Sequence, residues 1–235
     1  MTLKQVMAAL QAKGSEPIKR ILMKHGAKEP FFGVRIGDMK PLAKQLKGRQ
    51  DLALELYATG NGDAQYLAGM IADGRLMTKA QLDGWAKTAA WDMISGTTVP
   101  WVASEHPDGA ALALKWIAAK NEQTARAGWS ALAALAATRP DAELPLPDYA
   151  RLLKNLPRDL PKATGGVRYT MNNFVIACGT YLAPLAAQAI ATARALGPVQ
   201  VDMGGTECKV PEAESYILKA RRGAPVAPKR KTVRC

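Results

Sequence analysis

The strongest constraint on the fold is a rhythm. From Gln50 onward, segments of helix length follow one another: QDLALELYA, GDAQYLAGMIADG and TKAQLDGWAKTAAWDMIS. Each carries apolar residues at helical spacing and closes on glycine or a polar cap. Residues 109–120 and 121–138 form a further pair, rich in alanine, which lets helices approach closely. Apart from the short VQVDM around Val199, no stretch alternates as a strand would. The expected fold is all-α, a superhelical solenoid of HEAT-like antiparallel helix pairs, because pairs repeated without a fixed consensus bury their faces only by stacking on neighbours.

The ends of the chain fit the same scheme. Thr2 caps a first helix to about Lys13, and Ser15 caps a second that carries Pro17 in its first turn. After the loop AKEPFFGVRIG, Asp38 is the expected cap of DMKPLAKQLKGR, which turns Leu42, Ala43 and Leu46 inward. Lys40, Lys44 and Lys47 then form a basic stripe, close to Arg35 in the loop; the stripe is either a solvated face or a phosphate contact. Residues 140–161, rich in proline, read as a connector with one short helix from about Tyr149 to Asn155. A helix opened by Gly165 and Gly166 sets Val167, Met171, Phe174, Val175 and Cys178 on one side. On its other side stand Arg168, Tyr169, Asn172 and Asn173, hydrogen-bonding groups suited to phosphate, sugar or another chain. A long helix over 182–196 and a last one started by Pro211 complete a single domain over residues 1–220. The basic tail 221–235 is expected to bury nothing and to be mobile.

Charge is concentrated at the two ends. Lys and Arg exceed Asp and Glu by 11 to 3 in residues 1–50 and by 11 to 4 in residues 161–235, whereas residues 51–118 hold 4 against 8. A net charge of +12 so arranged suits a curved or extended molecule gripping a polyanion, with DNA or RNA as the default partner; the other reading is a generically basic protein with a basic tail. Three of the five tryptophans, Trp85, Trp91 and Trp101, crowd into seventeen residues. A helix expected from about Leu82 to Ser95 puts Trp91 roughly 240° around the axis from Trp85, so that one of the two indoles leaves the core. Two readings stand: core filler, or an indole that stacks on a base or sugar.

Several chemistries have no support. His25 and His106 are not placed for a nucleophilic triad, and neither a phosphate-cradling glycine motif nor a metal-ligand cluster is present. Cys178, Cys208 and Cys235 match no zinc or redox spacing and read as reduced thiols. The N-terminus lacks the pattern of a signal peptide, and the most apolar run, residues 181–196, is too short and polar to span a bilayer. The expectation is a cytoplasmic monomer with no metal, no cofactor and no membrane partner.

FFGVRIGDMKPLAKQLK, the Trp91–Asp92 pair and TARAGWSALAALAA together resemble the HEAT-like-repeat DNA glycosylases of the AlkD alkylation-repair family, over most of residues 20–195. The resemblance implies an all-α protein that wraps double-stranded DNA in a basic concavity. It also implies removal of cationic N3- and N7-alkylated purines without metal or cofactor, by stabilising an oxocarbenium-like sugar. Trp91 and Asp92 match the family's Trp-Asp-x-x-Asp, but its catalytic aspartate falls on Ser95. Arg126 resembles the DNA-contacting arginine, and a later tryptophan falls on Asn173. A hydroxyl cannot supply a fixed negative charge, so binding is better supported than catalysis. The resulting candidates are Trp91, Asp92 and Ser95 for chemistry, with Trp101, Arg126, Arg168, Tyr169, Asn172, Asn173 and the Arg35, Lys40, Lys44, Lys47 group for DNA. Alternatives are a non-catalytic binder of branched DNA and a protein-interaction solenoid.

Overall fold

The computed structural model describes residues 1–204, 206 and 208–234, so Cys235 lies outside it. Among the described residues every regular element is helical. The helices are α1 (Leu3–Ala12), α2 (Glu16–Lys24), α3 (Ile36–Gln45), α4 (Gln50–Ala58), α5 (Gly62–Ile71), α6 (Lys79–Lys87), α7 (Val99–Ala103), α8 (Gly109–Trp116), α9 (Glu122–Thr138), α10 (Leu146–Asp159), α11 (Gly165–Tyr181), α12 (Ala186–Leu196) and α13 (Ala213–Arg221). Neighbours pair, α4 with α5 and α8 with α9, and α5, α7, α9, α11 and α13 form a continuous inner row. This is the stacked architecture expected of HEAT-like repeats. No single helix is long and apolar enough to cross a membrane.

Helix starts follow local chemistry. Thr2 and Thr78 each accept from the backbone N–H three residues on, and Gln5 and Gln81 return the bond, giving two capping boxes. Asn121 caps α9 through Thr124 N–H at 2.9 Å. Asp38 is not a cap: α3 begins two residues earlier, and the carboxylate lies in its first turn, where the dipole favours it.

Four further expectations are corrected. The first is the connector, which is a full helix, α10, burying Tyr149, Leu152, Leu153 and Leu156. Pro147 sits in the first turn, where no N–H is needed, and the Leu153 carbonyl left without a donor by Pro157 accepts from Thr192 Oγ1 at 3.2 Å. Residues around Val199 form no strand and join an irregular segment before α13. The chain does not run as one helix from Leu82 to Ser95: α6 stops at Lys87, and Trp91 begins a new turn. Finally, the described tail does not lie free. Ala227 N–H bonds to Thr180 O, Arg230 N–H to Ala137 O, and Val233 packs against the core. Helix C-termini offer unpaired carbonyls, and a basic strand is a natural partner for them.

Candidate nucleic-acid interface

The site begins at a helical irregularity. Between Met93 and α7, residues Ile94–Thr98 form a π-turn in which Val99 N–H reaches back to Ile94 O. Pro100 has no N–H for the ordinary ladder, which accounts for the widened turn. The turn packs closely on α5: a Cβ on Gly69 would lie 2.3 Å from Thr98 Cγ2, so only glycine fits there.

Asp92, just before this turn, meets the first turn of α9. Its Oδ1 accepts from Gln123 Nε2 at 2.9 Å, and its Oδ2 lies 3.3 Å from Arg126 Nη1. The Ser95 hydroxyl contacts Gln123 Oε1 at 2.5 Å and the Asp92 carbonyl at 3.2 Å. Exposure divides the cluster: Ser95 is fully buried and the Arg126 side chain is 7% exposed, but that of Asp92 is 46% exposed. Burial lowers the Arg126 pKa from its usual value, and the charges of Asp92 and Glu122 oppose that shift. From the other side Gly166 closes on the guanidinium; a Cβ there would fall 1.9 Å from Arg126 Nη1 and 2.7 Å from Glu122 Oε1. Glu122 also accepts from Thr164 Oγ1 at 2.7 Å, tying the starts of α9 and α11 together. The result is a fixed cation between two helix N-termini, beside a half-exposed carboxylate.

From this cluster a trough runs across the inner row. Its first depression, about 390 Å³, lies between Asp92, Arg126 and Tyr169 on one side and the end of α2 with residues 201–204 on the other. Tyr169 leads into a second depression of about 560 Å³, which is also lined by Gly96, Trp101 and Asn173. Trp101 and Val233 continue it to a third of about 420 Å³, bordered by Arg75, Arg139 and Lys231. Seven Lys and Arg residues line the three depressions against four Asp and Glu residues, so the trough favours an anion.

The indoles are not its stacking platforms. All five tryptophans are 6% exposed or less. Trp85 stacks on Tyr57 at 3.9 Å and Trp101 meets Tyr66 edge-on at 5.3 Å. Trp91 lies against Gly62, whose Cβ would be 3.3 Å from the indole Nε1. The expected departure of Trp91 from the core fails because the helix that would have rotated it outward is broken. Of the α11 candidates, Arg168, Tyr169 and Asn173 are half-buried, but Asn172 is fully buried and donates to Pro211 O at 2.8 Å, anchoring the segment before α13. Arg35, Lys40, Lys44 and Lys47 are all exposed on and beside α3.

Sequence reasoning missed three residues here. Gln123 bridges Asp92 and Ser95, and Gly166 makes room for Arg126. Asp63, 4% exposed, accepts from the N–H groups of Phe32, Gly33 and Val34 at 2.6, 2.9 and 3.2 Å. Burial raises the Asp63 pKa while the three amides hold it down, and the bonds fix the FFGV loop on α5. An acidic residue just after a good cap was the available signal for Asp63; nothing local marks Gln123.

The model of the DNA alkylation repair enzyme family matches residues 6–207. The uncharacterized protein Lin0241 of Listeria innocua is 31% identical over 94% of this chain and 98% of its own length. Lmo0209 of Listeria monocytogenes is 30% identical over the same shares. A solved structure superposes with a TM-score of 0.89 and 36% identity, covering both chains completely. It is described as a new family of proteins related to the HEAT-like repeat DNA glycosylases with affinity for branched DNA structures.

Proposed function

Because the chain belongs to the DNA alkylation repair enzyme family, we propose that it binds duplex DNA in the trough, with branched or bulged DNA as its ligand, and does not excise bases. The observation that carries the second part is Ser95. At the position where the resemblance expects a catalytic aspartate stands a buried hydroxyl held by Gln123. Two carboxylates border the first depression, and both are engaged: Asp92 by Gln123 and Arg126, and Asp202 by Gly204 N–H at 2.9 Å. Neither is an unpartnered charge directed at a sugar, and each missing electrostatic contribution of that kind is worth about 3 kcal/mol of barrier. Phosphate binding is supported by Arg126, fixed at the floor, and by the excess of cations along the walls.

A second reading, slow excision of cationic alkylated purines, draws on the half-exposed Asp92. Two measurements separate them. Fluorescence anisotropy at stated salt is expected to show tighter binding to four-way or bulged duplex than to linear duplex. Methylated DNA is expected to release no 3-methyladenine or 7-methylguanine above background. Release by the wild type that Asp92→Asn abolishes would establish the glycosylase reading instead.

A further inference from the structure

Residues 227–234 cross the C-terminal ends of three helices of the inner row, α11, α9 and α5. Ala227 N–H bonds to Thr180 O in the last turn of α11 at 2.8 Å, and Arg230 N–H bonds to Ala137 O in the last turn of α9 at 2.7 Å. Lys229 Nζ adds Ala136 O at 2.8 Å and Asp141 at 2.7 Å. Arg234 donates to Gly69 O at 3.0 Å and Met70 O at 3.3 Å near the end of α5, and pairs with Glu105 at 2.5 Å. The last carbonyls of a helix have no internal partner and carry the negative end of its dipole, so two amides and two cations meet complementary groups at all three. This is a fastened strap.

Its cations divide by position. Lys229 and Arg234 turn inward to these anchors, whereas Arg230 and Lys231 between them are exposed. Arg230 lines the second depression of the trough beside Trp101, and Lys231 lines the third. The strap thus lines the second and third depressions of the trough together with α9, and none of its residues lines the first. We propose that residues 227–234 are a built part of the DNA interface, in which Lys229 and Arg234 fasten the strand and Arg230 and Lys231 contact the phosphates of the bound duplex. This rests on the DNA-binding reading above and adds a second, strap-borne set of phosphate contacts to Arg126. Holding two cations in place spares the ordering cost that a loose basic tail would incur on binding.

The test is a salt titration of four-way DNA binding with three full-length proteins: wild type, R230A/K231A, and the charge-matched control K154A/K162A. Lys154 and Lys162 are exposed and lie outside the trough. The expected result is that R230A/K231A binds about tenfold more weakly at low salt and loses roughly 1.8 from the slope of log K against log salt, about 0.9 per contact, with an unchanged melting temperature. The control is expected to match wild type. Equal binding and slope in R230A/K231A would overturn the inference, as would equal loss in the control, which marks non-specific attraction. Tighter binding by R230A/K231A would also overturn it, showing a strap that occludes the trough. A wild type that binds no DNA overturns the DNA-binding reading itself, and the strap contacts with it.

Discussion

Two basic regions of this molecule hold charge in opposite ways. At the start of α9, Arg126 is buried among Asp92, Glu122 and Gly166 and cannot move without displacing them. On and just past α3, the Lys40, Lys44 and Lys47 side chains stand exposed along a helix that buries only Met39 and Leu42. The first is a point of fixed charge, defined by packing. The second is a field, in which position matters little and number matters most. A protein that recognises the shape of a polyanion needs both, one to set register and one to draw the ligand in.

The largest effect concerns the buried indole next to Asp92 in the chain. Trp91→Ala is expected to cost about 3–5 kcal/mol of stability, as for other buried aromatics, read by denaturant unfolding. An unchanged stability with lost DNA affinity would instead make Trp91 a stacking residue. Next comes Gly166→Ala, expected to cost about 1–3 kcal/mol because its methyl group displaces the Arg126 guanidinium. In an Arg126→Ala background that cost should largely vanish, and a double-mutant cycle measures the difference. By contrast, alanine at Lys40, Lys44 or Lys47 should leave stability within about 0.5 kcal/mol of wild type. Each is expected to take about 0.9 from the salt slope of DNA binding, and a cooperative loss would show that the stripe is a built site.

The smallest effect is a pH dependence at the surface. The Arg49 side chain beside Asp51 lowers its pKa from 3.8 to about 2. A depressed carboxylate contributes stability that is complete above its unfolded pKa and is lost as pH falls through the folded one. The contribution should therefore fade between about pH 4 and pH 2, and Asp51→Asn should flatten the stability curve only in that window.

Much of this was legible in the sequence. Periodicity and caps located the helices, since Thr2, Thr78 and Asn121 act on neighbours within three residues. The charge asymmetry was equally plain. What escaped depended on distant partners. Pro157 could remain in a helix because Thr192 Oγ1 lies opposite the freed carbonyl. Trp91 turned inward because the chain breaks after α6 at Lys87 and the bare backbone of Gly62 gives the indole a place. The tail binds because three helix ends happen to align along its path. The family resemblance named Asp92 and Ser95 for chemistry and Arg126 for DNA contact, whereas the Gln123 bridge between the first two depends on how α9 meets the turn and has no local signal.

The most direct test of the trough as the binding surface is hydroxyl-radical footprinting of the protein with and without four-way DNA. Met23, Tyr169 and Tyr216 border the trough, whereas Leu76 and Leu218, both largely exposed, do not. Oxidation is expected to fall at the first three and to stay unchanged at the two leucines. Protection confined to Leu76 or Leu218, with Met23, Tyr169 and Tyr216 unaffected, would contradict the account.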